Sequence, residues 1–471
     1  MTGFSSRALL FLLLSGAVAY AQPATMPRDT LGAVTSEAPA DSDADDDAPP
    51  KPTISVAPVA KPSIEGFGTM DQSNGGLASN IWQGSTRESA GALLALIHTG
   101  IANDTVQKLF VRLLMTQATP PAGNGENWFV VRVGALIAIG QDDKAGQMVA
   151  SLPPSMSNDA LRRTDAELSL LRGDSAATCK RAAGIPEATD DLVFWQKVNI
   201  LCKAMAGKQN EVMVGLDVLH EENKQSDMFF QECIHKMNEK NATIKSLPKE
   251  WTLFDVALIR IAGGSEYLRD KIEVLPAASL KYIAQDSKLD LKMREKATAR
   301  AQQIGLLPVK EGNITPEPPF ERSLGSDVTT LVTALGSDKP ANPSDNAVIA
   351  RLAIDSGTST LDTHRIQRLL TLMQPFGYTV PTAVWQKLFA HKNRFDGEMP
   401  AASLVAEITN AAQAGRKGEV IVLAALIMGA IDADKTSDLA VLPVVNALKA
   451  SGFEKEARQL AYSTVKSYSG R

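Results

Sequence analysis

Glycines that end apolar helical segments at a near-constant spacing constrain the fold of this sequence more than any other feature. Apolar residues at helical spacing lead up to Gly140, Gly173 and Gly207, which lie 33 and 34 residues apart. A second apolar segment follows each glycine after a short polar turn. Glycine suits these junctions because the residue that ends a helix commonly needs a left-handed backbone. The pattern predicts an all-α fold, a tetratricopeptide-like α-superhelix of helix-turn-helix repeats.

The same plan returns near the C-terminus, where Gly415 and Gly452 are 37 residues apart. The sequence therefore predicts a helical-repeat array over residues 77–310 and a C-terminal helical unit over residues 346–471. Residues 311–345 are rich in Pro, Gly, Asn and Ser, and they are predicted to form a loop or hinge region. Whether the two helical units pack as one superhelix stays open at this point. Aromatic residues make up only 5% of the chain, which favours small packed helices over a β-sandwich.

The N-terminus has the pattern of a signal peptide over residues 1–21. Arg7 precedes an apolar run over residues 8–14, and the small residues Ala19 and Ala21 predict cleavage after Ala21. The apolar run is shorter than the roughly 20 residues that a membrane-spanning helix needs, so an uncleaved anchor is the weaker alternative. We therefore expect the mature protein to be soluble in the periplasm, with no integral membrane segment.

Residues 22–76 are rich in Pro, Ala, Ser, Thr and Asp, and are predicted to be a disordered linker. Such a segment buries too little apolar area to offset the entropy of ordering it. It is either a tether that spaces the folded body from a membrane or partner, or a linker without a role of its own.

Three cysteines follow the predicted export signal, and in an oxidising compartment pairing is the default expectation. In the repeat register Cys179 lies on the second helix of one repeat and Cys202 on the first helix of the next. Neighbouring helices pack about 8–10 Å apart, which brings small side chains within bonding reach. We predict a disulfide between Cys179 and Cys202. A buried free thiol is the plain explanation for Cys233, but whether it is free stays open at this point.

The motifs of common catalysts are absent or broken. His220-Glu221 begins a zinc-protease motif, but Lys224 stands where its second histidine belongs. His220, Cys233 and His235 could gather around zinc, although a surface histidine near a buried cysteine is the more ordinary interpretation. No phosphate-binding loop and no nucleophile elbow occurs. The sequence therefore predicts no catalytic residue, no metal site, no cofactor and no enzymatic activity. With 48 basic and 53 acidic residues and a net charge of -5, it also predicts no nucleic-acid partner.

Tryptophans are the remaining candidates for a binding role, because each lies near a predicted helix start. They would either line a concave surface as ligand anchors or wedge between helices at the start of a repeat, and we favour the wedge. The five are Trp82, Trp128, Trp195, Trp251 and Trp385.

Three blocks of the chain, spread over residues 66–471, resemble a group of Ala-rich exported proteins of alphaproteobacteria. The resemblance implies an exported helical-repeat protein from such a bacterium, and it brings no activity and no catalytic residues. An antifreeze-glycopeptide label is attached to some of these proteins, but ice binding needs a flat array of Thr that this chain lacks. The first block is residues 77–85. The second is residues 171–174 with Cys179 and residues 194–197 with Cys202 and residues 204–207, and the third is residues 415–429 with residues 447–461.

Two functions fit these observations. We favour a non-enzymatic scaffold or protein-protein interaction module of the periplasm, whose partner is another envelope or periplasmic protein, because stacked helix pairs create extended binding surfaces. The alternative is an accessory protein or hydrolase that acts on the cell wall, since helical arrays also accompany such domains.

Overall fold

A computed structural model describes residues 64–467 with gaps at 98–99, 102, 154–155, 186–188, 190, 223–226, 240, 308–319, 355–357, 391–398 and 430–436. The predicted signal peptide, its cleavage site after Ala21 and the linker up to residue 63 lie outside the described residues. Within these residues the chain forms α-helices and short 3-10 turns, with two isolated β-bridges and no β-strand. The predicted all-α class is confirmed.

The first helices include the predicted repeats. After α1 and α2, three helix pairs follow in which each helix packs on the next: α3 with α4, α5 with α6, and α7 with α8. Gly140, Gly173 and Gly207 separate the helices of each pair with φ of +74°, +87° and +72°, so the predicted glycine junctions are confirmed. The bounds are α1 (Arg87–Ala95), α2 (Asp104–Met115), α3 (Trp128–Ala138), α4 (Asp142–Ala150), α5 (Asp159–Arg172), α6 (Ser175–Ala182), α7 (Leu192–Met205) and α8 (Gln209–Glu222).

The next four helices run back along this array instead of extending it. Helix α10 packs against α5 and α11 packs against α3. The tetratricopeptide-like stacking of the first array therefore covers α3–α8, and the next four helices do not extend it as one open superhelix. The predicted junctions at Gly415 and Gly452 are also present, with φ of +70° and +89° between consecutive helices. The bounds are α9 (Met228–Asn238), α10 (Leu253–Ile261), α11 (Ala277–Gln285) and α12 (Leu291–Gln303).

Specific contacts hold these returning helices in place. The Phe254 ring of α10 meets the Phe194 ring of α7 edge-on, with centroids 5.4 Å apart. On α11, Lys281 Nζ lies 2.6 Å from Asp142 Oδ1, and the Tyr282 hydroxyl donates to Asp142 Oδ2 at 2.5 Å. Asp142 is fully buried at the start of α4, and its charge is compensated by Lys281 of α11 and, at 3.7 Å, by the Arg172 guanidinium of α5.

The C-terminal helices close on the beginning of the chain. Helix α18 is buried on all sides and packs against α1, α2, α17 and α19, so the whole described chain forms one compact unit. The Gly418 N–H donates to the Ile81 carbonyl at 2.9 Å, and a Cβ on Gly418 would lie 2.5 Å from the Trp82 ring. The bounds are α13 (Phe320–Gly336), α14 (Pro343–Ala350), α15 (Thr360–Met373), α16 (Thr382–Phe389), α17 (Ala402–Gln413), α18 (Lys417–Gly429), α19 (Asp438–Ala450) and α20 (Glu454–Ser467).

Two predicted boundaries differ from the structure. Residues 64–76, assigned to the linker, fold onto the body, since Ile64, Phe67 and Met70 pack against the core. Within the predicted loop region 311–345 the described residues contain α13, because Val328, Leu331, Val332 and Leu335 form a buried helical stripe. The helix was not predicted because Pro, Gly, Asn and Ser residues surround this stripe in the sequence.

No helix in the described parts of the chain combines the length and the apolar character that crossing a bilayer requires.

Candidate functional site

A groove between α1 and α3 forms an open cavity with a volume of about 830 Å³. Small residues form much of its walls, together with Val130 and Val131 of α3. Gly91, Ala92 and Ala95 line it from α1, and residues 134, 135 and 138, a glycine and two alanines, line it from α3. A Cβ added to Gly91 or to Gly134 would meet no atom within 4 Å. The groove exists because small residues face each other across it and leave the space unfilled.

The floor of the groove belongs to the core. Leu94, Ile97 and Trp128 line the groove and are all buried. The Trp128 ring meets the Trp82 ring edge-on at 5.0 Å, and α1 packs on α18. The floor is therefore fixed by packing, which favours a groove that keeps its shape without a ligand.

Charged residues line only the end of the groove where α1 and α3 begin. The Arg87 guanidinium is paired with the Glu65 carboxylate at 2.5 and 3.1 Å, and it also donates to the Glu126 carbonyl at 3.0 Å. The hydrogen bond from Arg87 lowers the pKa of Glu65, with desolvation opposing this shift. Glu88 and Glu126 also line this end, and neither carboxylate has an ion-pair partner among the described residues. This end of the groove is therefore negatively charged.

Arg132 fixes the position of α3 from behind the groove. Its side chain is 1% exposed and donates to the carbonyls of Leu114 at 3.1 Å, Thr116 at 2.8 Å, Glu65 at 3.1 Å and Phe67. Burial lowers the pKa of Arg132 to about 10. One cation thus joins α3 to the end of α2 and to the segment that carries Glu65.

A second, more polar cavity of about 640 Å³ lies between α2 and α4. Amide side chains of Asn74, Gln107, Gln141 and Gln147 line it together with Lys108 and Lys144. Charged and amide side chains thus surround much of this cavity, whereas the groove between α1 and α3 has an apolar floor, so we assign the candidate site to that groove.

The predicted disulfide between Cys179 and Cys202 is present, with the two Cα atoms 5.7 Å apart. It joins α6 to α7, the second helix of one repeat to the first helix of the next, and neither cysteine lines the groove. Cys233 is a buried free thiol whose pKa is raised by burial.

The residues considered for zinc do not assemble a site. His235 lies 3.7 Å from Glu239 at the exposed end of α9, whereas Cys233 is fully buried. In the described parts of the chain no three His, Cys, Asp or Glu side chains are placed to hold a metal ion. His98 and His391 lie outside the described residues.

The tryptophans divide between core and surface. Trp82, Trp128 and Trp195 are at most 2% exposed, and Trp251 is 7% exposed. Trp385 is partly buried and stacks on Phe389 at 5.9 Å. Four of the five are therefore core residues, and of these Trp128 also lines the candidate groove.

Comparison with known proteins finds no matching family model, no matching curated protein and no matching solved structure.

Proposed function

We propose that this protein is a non-enzymatic interaction module of the periplasm and that its partner protein binds in the groove between α1 and α3. The observation that carries this proposal is the open, preformed groove with small-residue walls and a buried floor of Leu94, Ile97 and Trp128. Such a surface offers shape and apolar area to a partner, and both favour binding.

The periplasmic setting rests on the signal-peptide pattern and on the disulfide between Cys179 and Cys202. Disulfides persist in oxidising compartments and are rare in the cytosol. Cell fractionation with N-terminal sequencing tests this directly. A periplasmic protein that begins at Gln22 supports it, and a cytosolic protein that retains Met1 contradicts it.

Site-specific photo-crosslinking in cells tests the binding role. A photo-reactive amino acid placed at Ala92, in the groove wall, should capture the same partner protein repeatedly. The matched control is the same probe at Lys296, which is exposed on α12 and outside the groove. Equal capture from both positions, or capture from neither, contradicts the proposal.

One observation favours the cell-wall alternative, because Glu88 and Glu126 are two carboxylates in one groove. Glycoside hydrolysis commonly uses such a pair. Both glutamates are exposed, however, whereas the acid of a glycosidase commonly works from an apolar, desolvated setting. Zymography on peptidoglycan distinguishes the two functions, and a clearing zone that Glu88→Gln or Glu126→Gln removes would favour the hydrolase.

A further inference from the structure

We propose that the partner occupies the groove with an amphipathic helix of about three turns that carries a basic side chain at one end. This inference rests on the proposed function and names the chemistry of the partner.

The dimensions of the groove match a short helix. Its walls, α1 and α3, have 9 and 11 residues, which correspond to roughly 14 and 17 Å at a rise of 1.5 Å per residue. Three turns of a third helix cover the same length. Glycine and alanine in the walls let the axis of that helix approach to the spacing of about 8–10 Å at which helices pack.

The interiors of the two wall helices offer an extended peptide no unpaired backbone groups to which it could hydrogen-bond. A strand docks by adding to an exposed sheet edge, where backbone donors and acceptors are unpaired. Both walls of this groove are α-helices, and their interior backbone groups bond within each helix. The walls therefore offer side-chain contacts only, which is the mode in which an amphipathic helix lays its apolar face into a groove.

An acyl chain or a small apolar molecule fits less well than a helix. Pockets for such ligands commonly bury 70–90% or more of the ligand surface. In this groove the wall residues Ala92, Ala95 and Gly134 are themselves exposed, so a thin ligand on the floor would stay open to water. A helix covers these wall residues with its own apolar face.

The charges at one end of the groove determine the direction in which the partner helix binds. Glu88 and Glu126 lie at the end where α1 and α3 begin, and the one cation that lines the groove, Arg87, is already paired with Glu65. Among the described residues no charged side chain lines the opposite end, where Ala95, Ile97 and Ala138 lie. A lysine or arginine of the partner next to Glu88 and Glu126 restores neutrality. Basic residues favour the C-terminal turn of a helix, so the partner helix runs antiparallel to α1 and α3.

A synthetic peptide tests the inference on the full chain. The probe is a fluorescent 16-residue peptide with Leu and Ala on one helical face, Gln on the other and two Lys in its last turn. A shuffled peptide of equal composition and a peptide with Glu in place of Lys are the controls. We expect saturable binding of the probe by fluorescence anisotropy, and weaker binding of both controls. Equal binding of the shuffled peptide overturns the helix.

Two leucine variants assign the binding to the groove. Gly134→Leu places a long side chain in the groove and should weaken binding by about tenfold or more, as overpacking does. Lys296→Leu places the same side chain on the exposed surface of α12, outside the groove, and it should leave binding within about twofold of wild type. Circular dichroism and thermal unfolding of both variants show whether the fold is retained. Loss of binding that is equal in the two variants overturns the assignment.

Charge reversal tests the basic end. Replacement of both Glu88 and Glu126 by Lys should weaken binding of the Lys peptide by about two- to fivefold for each exposed charge, and should favour the Glu peptide. Glu295→Lys, at an exposed position on α12, is the matched control. It should change neither the binding of the Lys peptide nor that of the Glu peptide. An unchanged preference between the two peptides overturns the basic end of the proposal.

The experiments separate this inference from the proposed function. If the probe at Ala92 captures a partner whose crosslinked segment is extended or acidic, the helix inference is wrong and the interaction module stands. If the same probe captures nothing, the interaction module itself fails. If palmitate binds to wild type and not to Gly134→Leu, while the helical peptide fails to bind, the groove belongs to an acyl chain and the inference is overturned.

Discussion

Helices α18 and α8 have similar lengths, 13 and 14 residues, and very different surroundings. Helix α18 packs against four other helices, and all its residues from Gly418 to Ala425 are buried. Helix α8 packs mainly against α7 and exposes Met213, Val214 and Val218 by 60%, 63% and 42%. One helix is the interior of the molecule and the other is its edge.

The two regions are stabilised in different ways. Around α18 the apolar side chains themselves supply the stabilisation, because water is excluded on every side. At the edge each helix has fewer neighbours, and there a covalent bond between Cys179 and Cys202 holds α6 to α7, the helix on which α8 rests. A repeat array needs a polar cap where it ends, and α8 lacks a fully polar outer face. The disulfide therefore supplies part of the stability that apolar burial does not supply at this edge.

The largest expected effect is the loss of that disulfide. Its cysteines are 23 residues apart, and the loop-entropy relation gives about 3 kcal/mol for closing a loop of this length. The double variant Cys179→Ala with Cys202→Ala should lower the free energy of unfolding by that amount in urea titrations. Reductant should lower the stability of wild type and leave the variant unchanged. An equal urea midpoint for the two proteins would show that the edge does not depend on the bond.

The same substitution in both helices tests the comparison most directly. Val422→Ala removes two buried methyl groups from α18, and it should cost about 2 kcal/mol in transfer and cavity terms. Val422 is fully buried, so water cannot replace the lost contacts. Chemical denaturation measures the change. The comparison is Val214→Ala on the exposed face of α8. If Val422→Ala lowers the free energy of unfolding by less than Val214→Ala does, the distinction between interior and edge is wrong.

Helix α3 is an intermediate case, with one side in the core and the other open to the groove. Gly134 lies on the open side, where an added Cβ meets nothing within 4 Å. Gly134→Ala should raise the free energy of unfolding by about 0.5–1 kcal/mol, because glycine in a helix loses more backbone entropy on folding. Thermal unfolding checks this, with Gly418→Ala as the opposite control, since a Cβ there would lie against the Trp82 ring. A destabilised Gly134→Ala would show that the groove is less open than its walls indicate.

The smallest effect is expected at the edge. Val214→Ala changes a side chain that is 63% exposed on α8, and the free energy of unfolding should stay within about 0.5 kcal/mol of wild type. The measurement is the same denaturation experiment that is used for Val422→Ala. A loss as large as that of the buried valine would mean that the outer face of α8 is covered in solution by another molecule.

The sequence predicted those features that local chemistry determines. A glycine with a left-handed backbone is required where a helix turns sharply, so Gly140, Gly173 and Gly207 indicated the junctions that the structure has. The register of these junctions also placed Cys179 beside Cys202. What the sequence did not predict depends on distant residues. Nothing near Ile64 or Phe67 indicates that Arg132 binds the carbonyls of this segment.

The return of α9–α12 and the candidate groove were missed for related reasons. A helical stripe shows that a helix has a buried side, but it does not show which helix covers it. The groove is formed where side chains are lacking, and a search for reactive or aromatic residues passes over such places. The signal that was available is the matching pair of segments, Gly91-Ala92 with Ala95 and Gly134-Ala135 with Ala138, because small residues at helical spacing on two helices permit close approach of a third.

The contact between Gly418 and the Ile81–Trp82 turn has a consequence for the order of events in synthesis. The chain is synthesised from its N-terminus, so Trp82 is made long before Gly418, the glycine that covers its ring. The N-terminal helices therefore cannot reach their final burial as they emerge, and the last three helices, α18–α20, complete the fold. Ribosome-bound chains that end before Lys417 should leave Trp82 open to quenching by acrylamide, and the full-length chain should shield it.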